Sequence, residues 1–360
     1  MTNMFATASG SPAAAITQLI SSREWIEPDA EFPTDLMKAL EEMGLATPDE
    51  RLRVTPIEGG VSSDIYRVDL DWGTLCVKRT LPALRDFRDW VLPVARSGFE
   101  SEWLKIARIV VGESVPDVLG ERPGIFAMEF LDPAQHAAWR TQLCKGNINP
   151  STAAEIGRTV GRIHSATANN VAVARRFASH RIFEAARIRP FFLETALAQP
   201  TVAARLRKLA ADTAKTRITL IHGDLTPKNI LVGPRGPVLI DAEFACHGDP
   251  AFDVALCLSH VLLKCAWRPQ WRDYYLTCFD AFWAAYAQRV TWESSDWINE
   301  RAALLVPALM LARVHGRLRA EYLQMDSNRD RVARFACNLL LEPVLRLAAV
   351  RESWRRALAP

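Results

Sequence analysis

The sequence predicts an α+β protein of two lobes, a small β-rich one followed by a larger, mainly helical one. Three observations carry this. Strand signals dominate residues 52–130, helical periodicity dominates 150–215 and 250–358, and a single hairpin pattern lies between the two helical stretches. At 360 residues, 49% of them hydrophobic, the chain can build a large core. The expected organisation is a disordered tail over 1–14, rich in Ala, Ser and Thr, an N-terminal lobe over 15–131, and a C-terminal lobe over 132–360. No internal repeat is visible.

Taken in order, Asp35 to Met43 has the spacing of an amphipathic helix. Next comes IEGGVSSDIYRVDL (57–70), where Gly59 and Gly60 permit a sharp turn. Small Ser62 and Ser63 let backbone amides approach a phosphate before the alternating strand at 65–68. A second strand ends with Leu75-Cys76-Val77-Lys78, in the manner of V-A-I-K, whose Lys contacts nucleotide phosphates. The segment 94–109 is helical, with Phe99, Trp103, Ile106 and Val110 on one side and Glu100 and Glu102 as candidate partners for Lys78. An apolar strand at 124–131 breaks at Asp132-Pro133, near the lobe boundary. Later, an apolar helix is expected over 254–264, with Asp253 fit to cap it, and another over 303–323. Of the eleven tryptophans, those in the C-terminal part are expected mostly to pack helices.

Function concentrates in LIHGDLTPKNILVGPRGPVLIDAEF, residues 220–244. Asn229 follows Asp224 by five residues, the interval at which a catalytic Asp receives a hydroxyl proton and an Asn holds magnesium. Two short apolar runs, 230–232 and 238–240, flank a Gly-Pro turn. The hairpin they predict carries Asp241 back beside Asn229, so hard oxygen donors converge as Mg²⁺ on nucleotide phosphates requires, with Glu243 able to add to them. His222 is expected to hydrogen-bond buried backbone and fix the loop, with no part in moving protons.

HGDLTPKNILVG followed by LIDAEF resembles the corresponding motifs of the aminoglycoside phosphotransferase and choline kinase superfamily. The segments 76–104, PFF at 190–192 and IDAEFACHGDPAFD at 240–253 are similar to its 5-methylthioribose kinase branch. The resemblance implies a protein-kinase-like two-lobed fold and an ATP- and Mg²⁺-dependent kinase acting on a small molecule. Asp224 would be the catalytic base, with Asn229 and Asp241 on the metal. Gly60, Ser62, Ser63 and Lys78 would lie at the phosphates. It selects Glu100, four residues before Leu104, to hold Lys78, and it sets the backbone of Glu129, Phe130 and Leu131 against adenine. It also makes Asp253 a brace of the catalytic loop, and from Arg313, His315 and Arg317 it picks Arg313 for the acceptor.

Charge narrows the acceptor. Residues 261–360 hold 15 Lys and Arg against 10 Asp and Glu. A polycationic aminoglycoside would prefer an acidic pocket, so a sugar-like hydroxyl compound is the expected acceptor, with an antibiotic O-phosphotransferase and a nucleotide-binding pseudokinase as alternatives. A net charge of +3 with dispersed bases excludes a nucleic-acid partner. Apolar runs are expected to be broken before the roughly 18 residues that cross a bilayer, and no signal peptide is legible. Seven cysteines without a C-x-x-C pair suit a reducing compartment, so a cytoplasmic monomer or homodimer is expected.

Overall fold

The computed structural model describes residues 34–57, 62–84, 87–320 and 322–358. The tail expected over 1–14, and Gly59 and Gly60 of the expected phosphate loop, lie outside them. Two compact units form, Met1–Lys105 with Pro116–Asp132, and Ile106–Val115 with Pro133–Pro360.

The first unit is built on an antiparallel five-stranded sheet of order β1-β2-β3-β7-β6. Its strands are β1 (Arg53–Ile57), β2 (Ser63–Leu70), β3 (Gly73–Thr80), β6 (Val118–Arg122) and β7 (Ile125–Glu129); β4 (Ala83–Leu84) pairs separately with β5 (Phe87–Val91). Ile65 lies opposite Lys78, and Lys78 opposite Phe126, which sets the lysine in the middle strand of the sheet. Helix α1 (Thr34–Glu42) presents Leu36, Ala39 and Leu40, spaced three and four apart, to Val68, Leu75, Val77 and Ala127. Helix α2 (Arg96–Val111) departs from expectation in its facing. Its buried stripe runs through Glu100, Trp103, Leu104, Ala107 and Val111, whereas Phe99, Ile106 and Val110 are half-buried and Ile109 is 86% exposed. The stripe keeps the i, i+3, i+4, i+7 spacing, but it is turned so that a carboxylate faces inward.

The second unit is mainly helical. It contains α3 (Pro150–Thr167), α4 (Ala203–Lys215), α5 (Pro250–Trp267), α6 (Arg272–Ala287), α7 (Ser295–His315), α8 (Asp326–Leu341) and α9 (Leu347–Ala357). Short strands β8 (Ala137–Ala138), β9 (Thr219–Ile221), β10 (Ile230–Gly233), β11 (Gly236–Leu239) and β12 (Cys246–Gly248) accompany them. Helix α5 is its axis, packed against α6 and α7. It corrects the expectation about apolar runs, because it is long and apolar enough to cross a bilayer, yet 94% of it is buried inside the protein. Helix α7 starts earlier than expected and stops at His315 instead of 323. Gly316 follows, where a Cβ would stand 2.5 Å from Ala312 O. The tryptophans also differ from expectation: Trp103, Trp139 and Trp354 are fully buried, while Trp267, Trp271, Trp283 and Trp292 are half-buried and Trp297 is 61% exposed.

Candidate active site

Within the first unit, Lys78 and Glu100 form a buried ion pair. The ammonium donates to both carboxylate oxygens, at 2.8 and 2.7 Å. Glu102, the other candidate, is half-buried one residue off the stripe. Burial costs both charges their hydration, and the two-oxygen contact offsets part of that cost. Neighbouring Cys76 is buried too, which pushes its thiol up to about 12 and leaves it inert.

Ser62 and Ser63 open β2. Ser62 O accepts from the Arg96 guanidinium at 2.9 Å and from Leu81 N–H at 2.9 Å, and Arg96 also donates to the carbonyls of Leu92, Pro93 and Leu81. This fully buried arginine, absent from the sequence reading, ties Ser62, at the start of β2, to the carbonyl of Leu81 beyond β3. Ser63 Oγ is buried and has no hydrogen-bond partner among the described residues. Gly60 lies outside them. At the far edge, Glu129 N–H donates to Asp117 O at 2.9 Å, after which the chain leaves the sheet through half-buried Phe130 and Leu131. Arg67 stacks over Phe130, 5.0 Å from the ring centre.

Within the second unit, the hairpin β10–β11 joins Gly233 to Gly236 and returns the chain, so that Ile240 N–H donates to Asn229 O at 3.0 Å. That register brings Asp224, Asn229 and Asp241 together. Asn229 Nδ2 donates to Asp224 O at 3.0 Å and to Asp224 Oδ2 at 2.9 Å, which leaves its Oδ1 as the amide's hard oxygen donor. Asp241 has φ +67, a left-handed conformation that costs a non-glycine residue energy and clusters at functional sites. Among the described residues no group of three or more His, Cys, Asp or Glu forms a metal cage. A magnesium ion that keeps water and phosphate ligands needs only one or two protein donors, and Asn229 with Asp241 meets that requirement.

The carboxylate of Asp224 is nearly buried. Arg187 Nη2 pairs with its Oδ1 at 2.7 Å, and Lys228 Nζ lies 3.6 Å from its Oδ2. Burial works to raise its pKa, but the Arg187 and Lys228 charges outweigh it and hold the carboxyl below its ordinary value. It is therefore ionised at neutral pH. Arg187 also donates to Gly223 O at 2.9 Å and lies over the Phe244 ring at 4.0 Å. It comes from a π-helical segment, Glu184–Leu193, that contains Pro190. Wide π turns of this kind re-aim side chains. Gly223 itself has φ +76, and a Cβ there would stand 2.3 Å from Phe244 O, so no other residue fits.

His222 Nδ1 accepts from Asp224 N–H at 3.2 Å, which leaves the proton on Nε2, donating to Ile240 O at 3.0 Å. Burial keeps this imidazole below its ordinary pKa against the pull of Asp253, Asp224 and Asp241. Neutral and doubly bonded, it ties the loop to the hairpin. Behind it, Asp253 accepts from His222 N–H at 2.6 Å and Gly223 N–H at 3.0 Å, and His164 bridges Asp253 to Tyr286. Asp253 is not the cap of α5. Asp249 holds that place, accepting from Ala251 N–H with Pro250 at the first helical position, the arrangement helix starts favour. Glu243 is buried beside this loop. Arg313 sits half-buried in the last turn of α7, near His260 and Lys264 of α5. The sequence reading missed Arg187, His164, Tyr286, His260 and Lys264. For the last two the signal was available: a His and a Lys one turn apart in an otherwise apolar run.

The sequence profile of the phosphotransferase enzyme family matches residues 53–292. A methylthioribose kinase of Escherichia coli O45:K1 is 26% identical over 253 residues, 62% of this chain and 60% of its own length. Methylthioribose kinase 2 of Oryza sativa is 24% identical over 244 residues, 59% of this chain and 57% of its own. The chain thus spans about three-fifths of the length of the curated relatives it matches. Among solved structures, an amicoumacin kinase in complex with AMP-PNP, Ca²⁺ and Ami superposes with a TM-score of 0.57 at 15% identity, covering 88% of this chain and 96% of that one. A Plasmodium vivax ethanolamine kinase gives 0.54 at 14%, covering 85% and 86%. These likenesses establish the two-lobed, protein-kinase-like fold.

Proposed function

We propose that this chain, which belongs to the phosphotransferase enzyme family, transfers the γ-phosphoryl group of ATP to a hydroxyl of a small sugar-like acceptor, 5-methylthioribose or a relative of it. The observation that carries the reading is Asp224, a buried carboxylate kept ionised and aimed by Arg187 and Asn229 at one end of a loop whose other end supplies metal donors. Phosphoryl transfer through a loose transition state asks the protein mainly for positioning and charge neutralisation.

In this reading Lys78, fixed by Glu100, holds the phosphates, with Ser62, Ser63 and Gly60 contributing at the loop. The backbone of Glu129, Phe130 and Leu131 takes the adenine edge. Asn229 Oδ1 and the Asp241 carboxylate hold Mg²⁺, which supplies positive charge to the phosphate oxygens when bound. Asp224 orients the acceptor hydroxyl and receives its proton as the oxygen–phosphorus bond forms. A carboxylate of depressed pKa is a weak base, which suits a step in which the proton leaves late. His222 and Asp253 keep the loop in place, and Arg313 faces the acceptor. The similarity to methylthioribose kinases supports the acceptor type, and the basic surroundings of Arg313 weigh against polycationic antibiotics. All seven cysteines lack disulfide partners, which a reducing compartment would maintain.

The test is ADP release by the purified chain with ATP and Mg²⁺ on 5-methylthioribose, related sugars, amino alcohols and kanamycin-type compounds. Asp224→Asn should lower kcat about 100-fold to 10,000-fold while ATP affinity stays within a few-fold. A variant retaining more than a tenth of wild-type kcat would remove Asp224 from the role. Efficient phosphorylation of kanamycin-type compounds with pentose derivatives ignored would replace the acceptor.

A further inference from the structure

The second unit carries a group of bases beside the catalytic loop that the phosphoryl-transfer step leaves unused. His260 and Lys264 stand one turn apart on α5, both buried in a helix otherwise almost wholly apolar. Besides burial, the charges of Arg313, Lys264, Lys228 and Arg140 all bear on the His260 imidazole, and together they hold it far below its ordinary pKa. Arg140 and Arg313 also bear on Lys264 and on Tyr322. Three separate elements therefore bring positive charge within electrostatic reach of one another: α5, the end of α7, and the helix Trp139–Cys144 that carries Arg140.

That place adjoins the chemistry. Arg140 N–H donates to Pro227 O at 2.7 Å, and the next residue, Lys228, is the one 3.6 Å from the Asp224 carboxylate. Lys264 is only 1% exposed, and its Nζ lies 4.8 Å above the Tyr322 ring. Among the described residues no carboxylate is paired with it. Tyr322 Oη is buried and has no hydrogen-bond partner among the described residues. A buried ammonium over a ring face and a buried hydroxyl without an acceptor are both costly unless something else meets them. A bound oxyanion would satisfy both, in a place that the charges of Arg313 and Arg140 also reach.

We infer that the acceptor carries an anionic group, a carboxylate or a phosphate, besides the hydroxyl that is phosphorylated, and that Lys264 and Tyr322 Oη receive it in the positive field of Arg313 and Arg140. This rests on the kinase reading above and narrows its acceptor to an anionic relative, since 5-methylthioribose itself carries no anionic group. Asp224 and Lys228 face the hydroxyl. The acceptor oxygen bonds to the γ-phosphorus, the bond from that phosphorus to the β-phosphate oxygen breaks, and the hydroxyl proton passes to Asp224, giving ADP and a phosphate ester. An acceptor with an ammonium group at the same position is repelled.

Calorimetric titration of the full chain at pH 7 with ribonate, ribose 5-phosphate and ribitol tests this on one carbon skeleton. One of the two anions should bind at least tenfold more tightly than ribitol, ribonate if the group is a carboxylate and ribose 5-phosphate if it is a phosphate. Lys264→Met should remove most of that margin, and Arg313→Gln serves the same purpose should the first variant fold poorly. Anions that bind no better than ribitol, or not at all, overturn the inference, as does an undiminished margin in a folded variant. ADP release on the same compounds reads the kinase assignment separately. An anion margin without ADP release would count against phosphoryl transfer while leaving the anion subsite standing.

Discussion

Replacing Lys264 by Met keeps the reach of the side chain and removes a buried charge, so it should raise stability at neutral pH, the opposite of the usual result of a core substitution. Burial brings the ammonium from an ordinary 10.5 down to about 8. At about 1.4 kcal/mol per pH unit, the charged form costs the native state about 3 kcal/mol. Loss of the Tyr322 ring contact returns about 1 kcal/mol of that, leaving a net gain of about 2 kcal/mol. For a protein of 360 residues, at about 2.1 cal/mol/K of unfolding entropy per residue, that is a rise in Tm of about 2–3 °C. The pH dependence has a definite sign. Between pH 8 and 10.5 the unfolded chain keeps the Lys264 proton and the native chain does not, so wild-type stability from this group rises with pH across that window. The advantage of the variant is full below pH 8 and closes towards 10.5. Thermal denaturation followed by circular dichroism at pH 7 and pH 9.5 reads both effects. A variant that melts below wild type at pH 7, or a gap of equal size at the two pH values, would refute the reasoning.

Three other perturbations test the candidate site. Lys78→Met and Glu100→Gln should each lower kcat/KM, and because the pair acts as a unit the double variant should cost little more than Lys78→Met alone; additive losses, or a comparable effect from Glu102→Gln, would break the assignment. Asp241→Ala should lose Mg²⁺-dependent ATP binding by calorimetry while the fold persists, and unchanged affinity would take Asp241 off the metal. Asp253→Ala leaves the buried N–H groups of His222 and Gly223 without their acceptor, at about 1–3 kcal/mol each, so urea denaturation should show a loss of about 2–5 kcal/mol; a loss under 1 kcal/mol would mean that solvent replaces the carboxylate.

The hairpin that gathers Asp224, Asn229 and Asp241 was legible because its information is local. Asp224, Asn229 and Asp241 occur within eighteen residues, and the Gly-Pro turn between the two apolar runs sets their register. Lys78 and Glu100, twenty-two residues apart, could be anticipated because each lies on a regular element with a recognisable spacing. Arg187 could not. It lies thirty-seven residues before Asp224, on a segment whose π turns come from tertiary packing around Pro190, and no local pattern announces where such a turn aims a side chain. Helix α2 shows a subtler limit. Ranking residues by hydrophobicity favours Phe99, Ile106 and Val110, but the ion pair with Lys78 draws Glu100 inward and turns the helix with it. The cap of α5 was open to a better reading, since Pro250 at the first helical position points to Asp249, not to Asp253. Lys264 was hidden for the opposite reason to Arg187. It was plainly visible inside an apolar run, where a charge reads as the end of the buried stretch, and the structure buries it instead.

Helix α5 places two separate demands on one rod. Its first turn supplies Asp253 to the backbone at His222 and Gly223, and eleven residues on, about 16 Å along the axis, Lys264 meets the charges of Arg140 and Arg313. On the proposed function, substitutions at the distal end would alter what is phosphorylated without loosening the loop braced by Asp253. A change at 260 or 264 would then act on the choice of acceptor, whereas a change at 253 would act on the loop that every acceptor would share.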